Sequence, residues 1–568
     1  MGLLKKPQAR LGIVDLKKYC YLLGPHILLS LLLFAFTSLG LGYRYLWADE
    51  IETAERARLI LESGFPLVID QQGTASVNTG GREIEDGNLH RYTPWLQFYV
   101  GAIGLRIGQF LDLPQDEAVR LPFVAAHSVA MGILSFALAT QLSVPTSLSL
   151  AIGAGLGLQS TRIAHNRTAR YHALLDFLAA LGLLALGGMK RLQKWGSYLL
   201  ASVLFFSFHA QTLGGACLAG TFAVAAGALL YGQTSRQSRW RLYFASVILP
   251  GGISVALLGL LTRPWLQTHW GAMVLTRPRT FFHPPTLLYA FLFAGVWSLI
   301  LFRKRASPVF WAPALVALTS IVIISVFDFH PFSQIRYYSA TALVSLFWPF
   351  YTKLEQSQTQ RLRPIFASIF VVILLTEFAL GRATSRDLYW PLQGLRLVHN
   401  DFKMQQMKTQ QPLQEALAYI RSHAQPNDPI LVDYVPQYVN WYLPGHPVAL
   451  IPDQKAKTKL NQNRQIWLQT LPFPKWHIWN QRWGSGTWDC LKSCDFSAHE
   501  VDLQNATYLL TSGALSRTEK MCIVKSWMTD PLSNSPFKML TEDAFKPAGA
   551  PWGVTLLARP CVDVGKDR

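Results

Sequence analysis

Residues 19–43 read YCYLLGPHILLSLLLFAFTSLGLGY, and residues 47–50, a few positions later, read WADE. The first stretch contains no charged side chain and is long enough for an α-helix to cross the hydrocarbon core of a bilayer. The second stretch places two carboxylates where such a helix would leave the membrane. The sequence therefore predicts a membrane-spanning helix that is followed at once by an acidic site at the membrane surface.

The composition of the chain agrees with a membrane protein. It has 568 residues, of which 50% are hydrophobic and only 15% are charged, whereas a soluble domain carries about 25% charged residues. The mean hydropathy of the whole chain is +0.20. These values exclude a disordered chain, a collagen-like chain and a small disulfide scaffold.

Further apolar runs follow the first one. They lie at 121–161, 171–189, 195–235, 242–262, 280–302, 306–327, 337–352 and 364–380. The runs 121–161 and 195–235 each have room for two spans, with turns predicted at Pro145 and at 209–215. The sequence thus predicts about 11 transmembrane helices within residues 1–380, and a soluble domain over residues 381–568.

The positions of the lysines predict the orientation of the protein in the membrane. Every lysine before residue 381 falls on one side of the predicted membrane: Lys5, Lys6, Lys17, Lys18, Lys190, Lys194, Lys304 and Lys353. Since cytoplasmic loops are enriched in basic residues, we expect a cytoplasmic N-terminus and an extracytoplasmic C-terminal domain, in a multi-pass protein of the cell membrane. The first outer loop, about 46–120, includes two amphipathic segments, 51–63 and 94–110, predicted to lie as surface or re-entrant helices.

The formal net charge of +19 does not indicate nucleic acid as a partner. Residues 1–380 carry +14 and residues 381–568 carry +5, and the predicted topology divides the former between two sides of a bilayer. A nucleic-acid interface needs a continuous basic surface. We therefore expect a bilayer and its lipids as partners, and no nucleic acid.

The C-terminal domain is predicted to be α/β or α+β. The segment PLQEALAYIRSHAQPNDPILVDYVPQY (412–438) has the pattern of an amphipathic helix, a turn and a buried strand. Four cysteines in an oxidising compartment suggest two disulfides in one of three connectivities. We favour Cys490 with Cys494 and Cys522 with Cys561.

Acidic residues and arginines share the predicted outer face. Of the 17 acidic residues before Gly381, 12 lie between Asp49 and Glu117. Separate loops of the same face contribute arginines and no lysine: Arg167, Arg170, Arg277, Arg279 and Arg336. Because the guanidinium group binds two phosphate oxygens and stays charged, the pattern suggests transfer from a polyprenyl phosphate. The alternative is that these groups are solvated, or paired with one another.

Several segments in a fixed order make the chain similar to a known family. They are WADE (47–50), ESGFP (62–66), RYTPWLQFYVGAIGLRIG (91–108), DEAVRLP (116–122), HNRTARYHALLDFLAALGLLAL (165–186) and SQIRYYSATALVSLF (333–347). Together they resemble GT-C membrane glycosyltransferases, particularly the protein O-mannosyltransferases and the aminoarabinose transferase of lipid A. The resemblance covers roughly residues 20–380.

The resemblance implies site residues. Asp49 matches the acidic residue that acts as general base or orients the acceptor, and Glu50 matches its neighbour. The residues that would bind substrate are His90, Arg91, Arg167, Arg170, Tyr171, Arg336 and Tyr337, to which the topology adds Arg277 and Arg279. Many family members have an Asp where this chain has Arg170, Tyr171 and His172. This departure indicates catalysis without a metal or other cofactor.

The resemblance implies transfer of a sugar from a polyprenyl-phosphate donor to a hydroxyl of a protein, lipid or envelope glycan, with inversion. Two alternatives remain: a transporter or flippase for such a lipid, and a non-catalytic membrane subunit that binds glycans. A transporter would place polar residues along a path through the bilayer.

Asp176 is an acidic residue inside a predicted span. It has two possible roles, a functional one and simple pairing with a nearby arginine.

Overall fold

The structure is a computed structural model. It describes residues 13–43, 46, 48–67, 89–91, 93–190, 194–231, 236–262, 340, 341, 343, 344, 347, 367, 368, 371, 395, 398, 399, 401–403, 412–425, 430–432, 441–443, 448–450, 479–481, 488–490, 508–512, 522–528 and 553–558.

The described part of residues 1–262 is helical. The helices are α1 (Ile13–Ser38), α2 (Ala48–Ser63), α3 (Leu96–Leu111), α4 (Gln115–Gln141), α5 (Thr146–Gly157), α6 (Ser160–Asn166), α7 (His172–Lys190), α8 (Lys194–Ala210), α9 (Thr212–Tyr231), α10 (Arg236–Tyr243) and α11 (Leu249–Thr262). A π-helical turn, Phe244–Ile248, joins α10 to α11 without a break.

Three described helices are long and apolar enough to cross a membrane: Gln115–Gln141, His172–Met189 and Trp240–Thr262. Shorter apolar helices lie at Leu23–Ser38, Thr146–Gly157 and Gly214–Leu230. All six overlap runs that the sequence marked as spans, although Gln115–Gln141 begins six residues before its run and Trp240–Thr262 two residues before its run. The chain turns at Leu142–Pro145 and at Gln211, as predicted. The total of 11 spans stays a prediction, because residues 263–339 lie outside the described part.

The segments 51–63 and 94–110 form α2 and α3, as the sequence pattern suggests. Helix α3 packs between α2 and α4, where Gly104 and Gly108 let its backbone approach Ala118 of α4 closely. On the opposite face of α3, Ile103 and Phe110 are exposed. At 16 residues, α3 is shorter than the roughly 20 residues that a spanning helix needs.

Helix α4 is at the centre of the described bundle, since it packs against α1, α3, α5 and α7. Its start lies beside the beginning of α2, and the ends of α1 and α6 meet there as well. We call this end of the bundle the α2 end.

The described part of residues 381–568 contains helix α12 (Pro412–His423) and seven strands: β1 (Ile430–Val432), β2 (Val448–Leu450), β3 (Trp479–Gln481), β4 (Trp488–Cys490), β5 (Tyr508–Ser512), β6 (Cys522–Met528) and β7 (Gly553–Ala558). Five strands form a mixed sheet in the order β2-β1-β5-β7-β6, in which β1 is parallel to β2 and β5, and β7 is antiparallel to β5 and β6. Strands β3 and β4 form an antiparallel pair. Helix α12 followed by β1 matches the order expected for 412–438.

The boundary of the C-terminal domain and its disulfide pairs stay predictions. Cys490 and Cys522 begin or end strands β4 and β6, while Cys494 and Cys561 lie outside the described residues. Cys217, on α9, is buried.

The connector, residues 39–46, joins α1 to the WADE segment. Gly40 adopts a positive φ of 67°, a region that residues with a Cβ enter only at a cost. A Cβ at Gly40 would lie 2.6 Å from the carbonyl carbon of Asp401 and 2.9 Å from the Cα of Phe402. Residues 401–403 therefore pack directly on the connector, and glycine is required for both the turn and the contact.

We expect Gly40→Ala to lower the thermal unfolding midpoint of the purified protein more than Gly64→Ala does. Gly64 also has a positive φ, of 82°, but a Cβ there would meet nothing within 4 Å. The backbone cost of about 1–2 kcal/mol is common to both variants, and only Gly40→Ala adds the clash with residues 401–402. Equal shifts in the two midpoints would show that this packing contributes nothing.

Candidate functional site

A buried ion pair joins α2 to α4 at the α2 end. Arg120 donates from Nε to Oε1 of Glu50 and from Nη2 to Oε2, both at 2.7 Å. Glu50 is 1% exposed and Arg120 4%. Such a bidentate pair fixes the orientation of both side chains, so the first turn of α2 has one position relative to α4.

The same two side chains bind two further segments. Arg120 donates from Nη1 to the carbonyl oxygen of Leu41 in the connector, at 2.8 Å. The backbone N–H of Ala169 donates to Oε1 of Glu50, also at 2.8 Å. These further hydrogen bonds to both members of the pair help to offset the desolvation of the two charges. Four parts of the chain thus meet at one ion pair.

A second contact holds the Arg-Tyr segment, residues 167–171, against α2. Arg170 donates from Nη1 to Oε2 of Glu52 at 3.2 Å, and its guanidinium carbon lies 5.6 Å from the ring centroid of Tyr171. Both Glu52 and Arg170 are buried. Glu50 and Glu52 therefore hold the Arg-Tyr segment beside the N-terminus of α2 from two points.

Arg167 attaches the same segment to the connector and to residue 401. Its Nη1 donates to Oδ2 of Asp401 at 3.0 Å, and its Nη2 donates to the carbonyl oxygen of Leu39 at 2.6 Å. The sequence interpretation assigned Arg167 to substrate. In the structure its guanidinium has protein acceptors on two sides.

His90 is fully buried, with 0% exposure. Arg56 Nε donates to its Nδ1 at 3.3 Å, while its Nε2 lies 3.1 Å from Thr93 Oγ1, 3.3 Å from the backbone nitrogen of Thr93 and 3.6 Å from Glu52 Oε1. Burial, and then the charges of Arg56 and Arg170, hold the pKa of His90 well below its usual range. His90 is thus a neutral part of the protein interior that orients Arg56.

Arg91 lies at the end of α11. Its Nη1 donates to the carbonyl oxygens of Leu260 and Leu261, at 2.9 and 3.0 Å. The last carbonyl groups of a helix have no partner within the helix and attract a positive charge. Arg91 therefore binds the end of a neighbouring helix in this structure.

Asp176 pairs with Arg162, which decides between the two roles that the sequence left open. Arg162 Nη1 lies 2.7 Å from both carboxylate oxygens of Asp176. Asn166 Nδ2 donates to the same carboxylate at 2.9 Å and lies 2.6 Å from Nδ1 of His127. This cluster fixes α6 to α4 and α7, and the Arg-Tyr segment leaves directly from the end of α6.

The structure brings together some of the predicted site residues. Glu50, Arg167, Arg170 and Tyr171 meet at the α2 end. Asp49 is the second residue of α2, adjacent to Glu50, and its side chain lies outside the description. Four predicted residues lie outside the described ones altogether: Arg277, Arg279, Arg336 and Tyr337.

Glu50 was predicted to be catalytic together with Asp49. Its burial and its bonds to Arg120 and Ala169 favour an anchoring role. Sequence reasoning missed three residues that complete the site, namely Glu52, Arg120 and Asp401. Of these three, only Arg120 could have been singled out from the sequence, because it lies in DEAVRLP (116–122), one of the segments that carry the family resemblance.

Among the described residues, no three histidine, cysteine, aspartate or glutamate side chains gather as metal ligands. Catalysis without a metal stays a prediction, since the side chain of Asp49 is outside the description.

No protein-family model matches this chain, and no curated protein matches it significantly. Solved structures similar to this chain include two of ArnT from Cupriavidus metallidurans. The crystal structure of ArnT from Cupriavidus metallidurans bound to undecaprenyl phosphate is 15% identical, covers 94% of this chain and 97% of that chain, and has a TM-score of 0.47. The same protein in the apo state is 14% identical, covers 96% of this chain and 98% of that chain, and has a TM-score of 0.49.

We expect Glu50→Ala to lower the free energy of unfolding by about 3–5 kcal/mol, because it leaves the guanidinium of Arg120 buried without its carboxylate. Glu62→Ala, on the same helix, removes a half-exposed carboxylate 4.0 Å from Arg58 and should cost less than about 0.5 kcal/mol. Thermal unfolding of the purified variants measures the difference. Equal stability of the two variants would contradict the anchoring role of Glu50.

We expect the stability of the protein to fall between pH 7.5 and 5.5, in part through His90. The folded state keeps His90 neutral, whereas the unfolded chain takes up a proton near its ordinary pKa of about 6.5, so acidification favours unfolding. His90→Gln should reduce this loss by about 1 kcal/mol. Unfolding midpoints at pH 7.5 and 5.5 test the effect, and an unchanged difference in the variant would refute it.

Proposed function

We propose that this protein is a membrane glycosyltransferase of the GT-C type, which moves a sugar from a polyprenyl-phosphate donor to an acceptor hydroxyl at the α2 end. The observation that carries the proposal is the attachment of the Arg-Tyr segment to the start of α2. Glu50 accepts from Ala169 and Glu52 accepts from Arg170, so Asp49 is carried on a helix turn that is fixed beside a cationic segment.

Asp49 is the proposed general base. A carboxylate in the first turn of a helix is stabilised in its ionised form by the helix dipole, which is the form that accepts a proton. In the proposed reaction, Asp49 takes the proton of the acceptor O–H group as the oxygen attacks the anomeric carbon. The bond between that carbon and the phosphate oxygen breaks, and the electron pair leaves with the lipid phosphate. A single displacement of this kind inverts the anomeric centre.

The arginines are proposed to stabilise the leaving phosphate. Negative charge grows on the phosphate as the bond breaks, and fixed guanidinium groups stabilise that charge without reorganising. Arg170 is the described candidate, because it is held by Glu52 and by Tyr171 at the same end as Asp49. We propose that Arg277, Arg279, Arg336 and Tyr337 complete the donor site. His90 and Arg91 have protein partners in the structure.

The membrane setting suits a polyprenyl donor, whose isoprenoid chain stays in the bilayer. Apolar helices long enough to cross a membrane form the described core of the chain. We propose a multi-pass protein of the cell membrane, with a cytoplasmic N-terminus, the α2 end and residues 381–568 on the extracytoplasmic side, and no metal or other cofactor in the reaction. The sugar is a hexose or a pentose, and the acceptor belongs to a protein, a lipid or an envelope glycan.

The test uses the full-length protein in lipid nanodiscs. Undecaprenyl-phosphate-linked hexose and pentose are the donors, a cell-envelope extract supplies acceptors, and release of undecaprenyl phosphate is measured. We expect turnover by the wild type and a loss of about 100- to 10,000-fold in Asp49→Asn. Glu62→Gln, an acid-to-amide change at the exposed end of the same helix, should retain full activity.

Two results would overturn the proposal. Full turnover in Asp49→Asn would show that Asp49 is not the general base. A wild type that consumes no donor, yet moves undecaprenyl phosphate between the leaflets of a liposome, would favour a flippase.

A further inference from the structure

The C-terminal part of the chain reaches the α2 end through Tyr442. Its hydroxyl donates to Oδ2 of Asp116, in the first turn of α4, at 2.8 Å. The same hydroxyl accepts from the backbone N–H of Leu46, the last residue of the connector, at 2.8 Å. Burial and the neighbouring carboxylate of Asp116 hold the pKa of Tyr442 above its usual range, so the hydroxyl keeps its proton.

Neighbouring contacts fix Tyr442 itself. Trp441, which is 6% exposed, donates from Nε1 to Oδ1 of Asp116 at 3.3 Å. The guanidinium carbon of Arg58, on α2, lies 5.7 Å from the ring centroid of Trp441, within the range of a cation–π contact. Arg421, on α12, donates to the carbonyl oxygen of Tyr442 at 2.9 Å. Residues 441–442 are therefore held from α2, α4 and α12 together.

Side chains from other parts of the chain form hydrogen bonds with three described residues of the connector. Arg167 donates to the carbonyl oxygen of Leu39, Arg120 donates to that of Leu41, and the N–H of Leu46 donates to Tyr442. Of these three hydrogen bonds, only the third comes from the C-terminal part of the chain, which also packs on Gly40 through residues 401 and 402. The third is the one nearest to Asp49, three residues before it. Leu46 is fully buried, so its N–H would lack a partner if the hydroxyl of Tyr442 were removed, which is costly.

We propose that Tyr442 is a positioning residue, which holds the end of the connector and Asp116 so that Asp49 meets the acceptor hydroxyl in the correct place. The inference rests on the proposed function and assigns a task to the C-terminal part of the chain. That part completes the site by holding the segment that leads to the base. The Arg-Tyr segment, which is proposed to meet the donor phosphate, has contacts with Glu50, Glu52 and Asp401, none of which involves Tyr442.

Tyr442→Phe tests this inference, since it keeps the ring and removes only the hydroxyl. The matched control is Tyr99→Phe, which removes an exposed hydroxyl that donates to the carbonyl oxygen of Gly64 at 2.9 Å. For each protein, turnover and the number of bound undecaprenyl phosphate molecules per chain are measured in nanodiscs. The kcat is then expressed per lipid-binding site, which removes the effect of any unfolded fraction.

We expect Tyr442→Phe to lower kcat per binding site by about 10- to 100-fold, the loss typical of a misplaced catalytic group. Its affinity for undecaprenyl phosphate and the KM for the donor should stay within about twofold of the wild type. Tyr99→Phe should match the wild type in all three quantities. Amide hydrogen exchange over residues 39–50 should rise in Tyr442→Phe alone.

The outcomes separate the inference from the proposed function. An unchanged kcat per binding site in Tyr442→Phe would overturn the inference, whether exchange rises or not, and would leave the proposed function intact. A wild type without turnover on any donor would overturn both, and exchange over residues 39–50 would then show only whether Tyr442 holds the connector.

Discussion

The ion pair between Glu50 and Arg120 is the interaction on which the α2 end depends. Two charges that are removed from water impose a large desolvation cost, which geometry alone does not offset. Here the cost is countered by the bidentate contact, by the N–H of Ala169 and by the carbonyl oxygen of Leu41. The pair thereby determines where α2, α4, the connector and the Arg-Tyr segment meet.

If Asp49 is the general base, as we propose, this arrangement gives support and chemistry to two adjacent residues. Glu50 uses both carboxylate oxygens to hold its surroundings, while Asp49 occupies the neighbouring position on the same helix turn. Three described arginines near the α2 end likewise have carboxylate partners within the protein: Arg162 pairs with Asp176, Arg167 with Asp401 and Arg170 with Glu52. In the proposed reaction, the donor phosphate would join a preorganised network of charges, which suits a leaving group that gains negative charge.

The positions of most helices in residues 13–262 could be predicted from the sequence, because uncharged runs and amphipathic segments carry that information locally. The short helices α6 and α10 were not predicted. The pairing of side chains could not be predicted. Glu50 and Arg120 are 70 positions apart, and Arg167 and Asp401 are 234 apart, so nothing in either local pattern indicates the partner. The arginines of the predicted outer loops were interpreted as phosphate ligands, whereas the described ones are first of all ion-pair partners. For Asp176, the sequence left a functional role and pairing with an arginine open, and only the structure identifies Arg162 as its partner.

The most direct measurement is an experimental structure of the full-length protein in a nanodisc with undecaprenyl phosphate. We expect the phosphate to lie at the α2 end, within hydrogen-bonding distance of Arg170 and next to the carboxylate of Asp49, with the Glu50–Arg120 pair intact behind it. A phosphate bound at the opposite end of the bundle, or an Asp49 side chain directed away from the bound phosphate, would contradict this account.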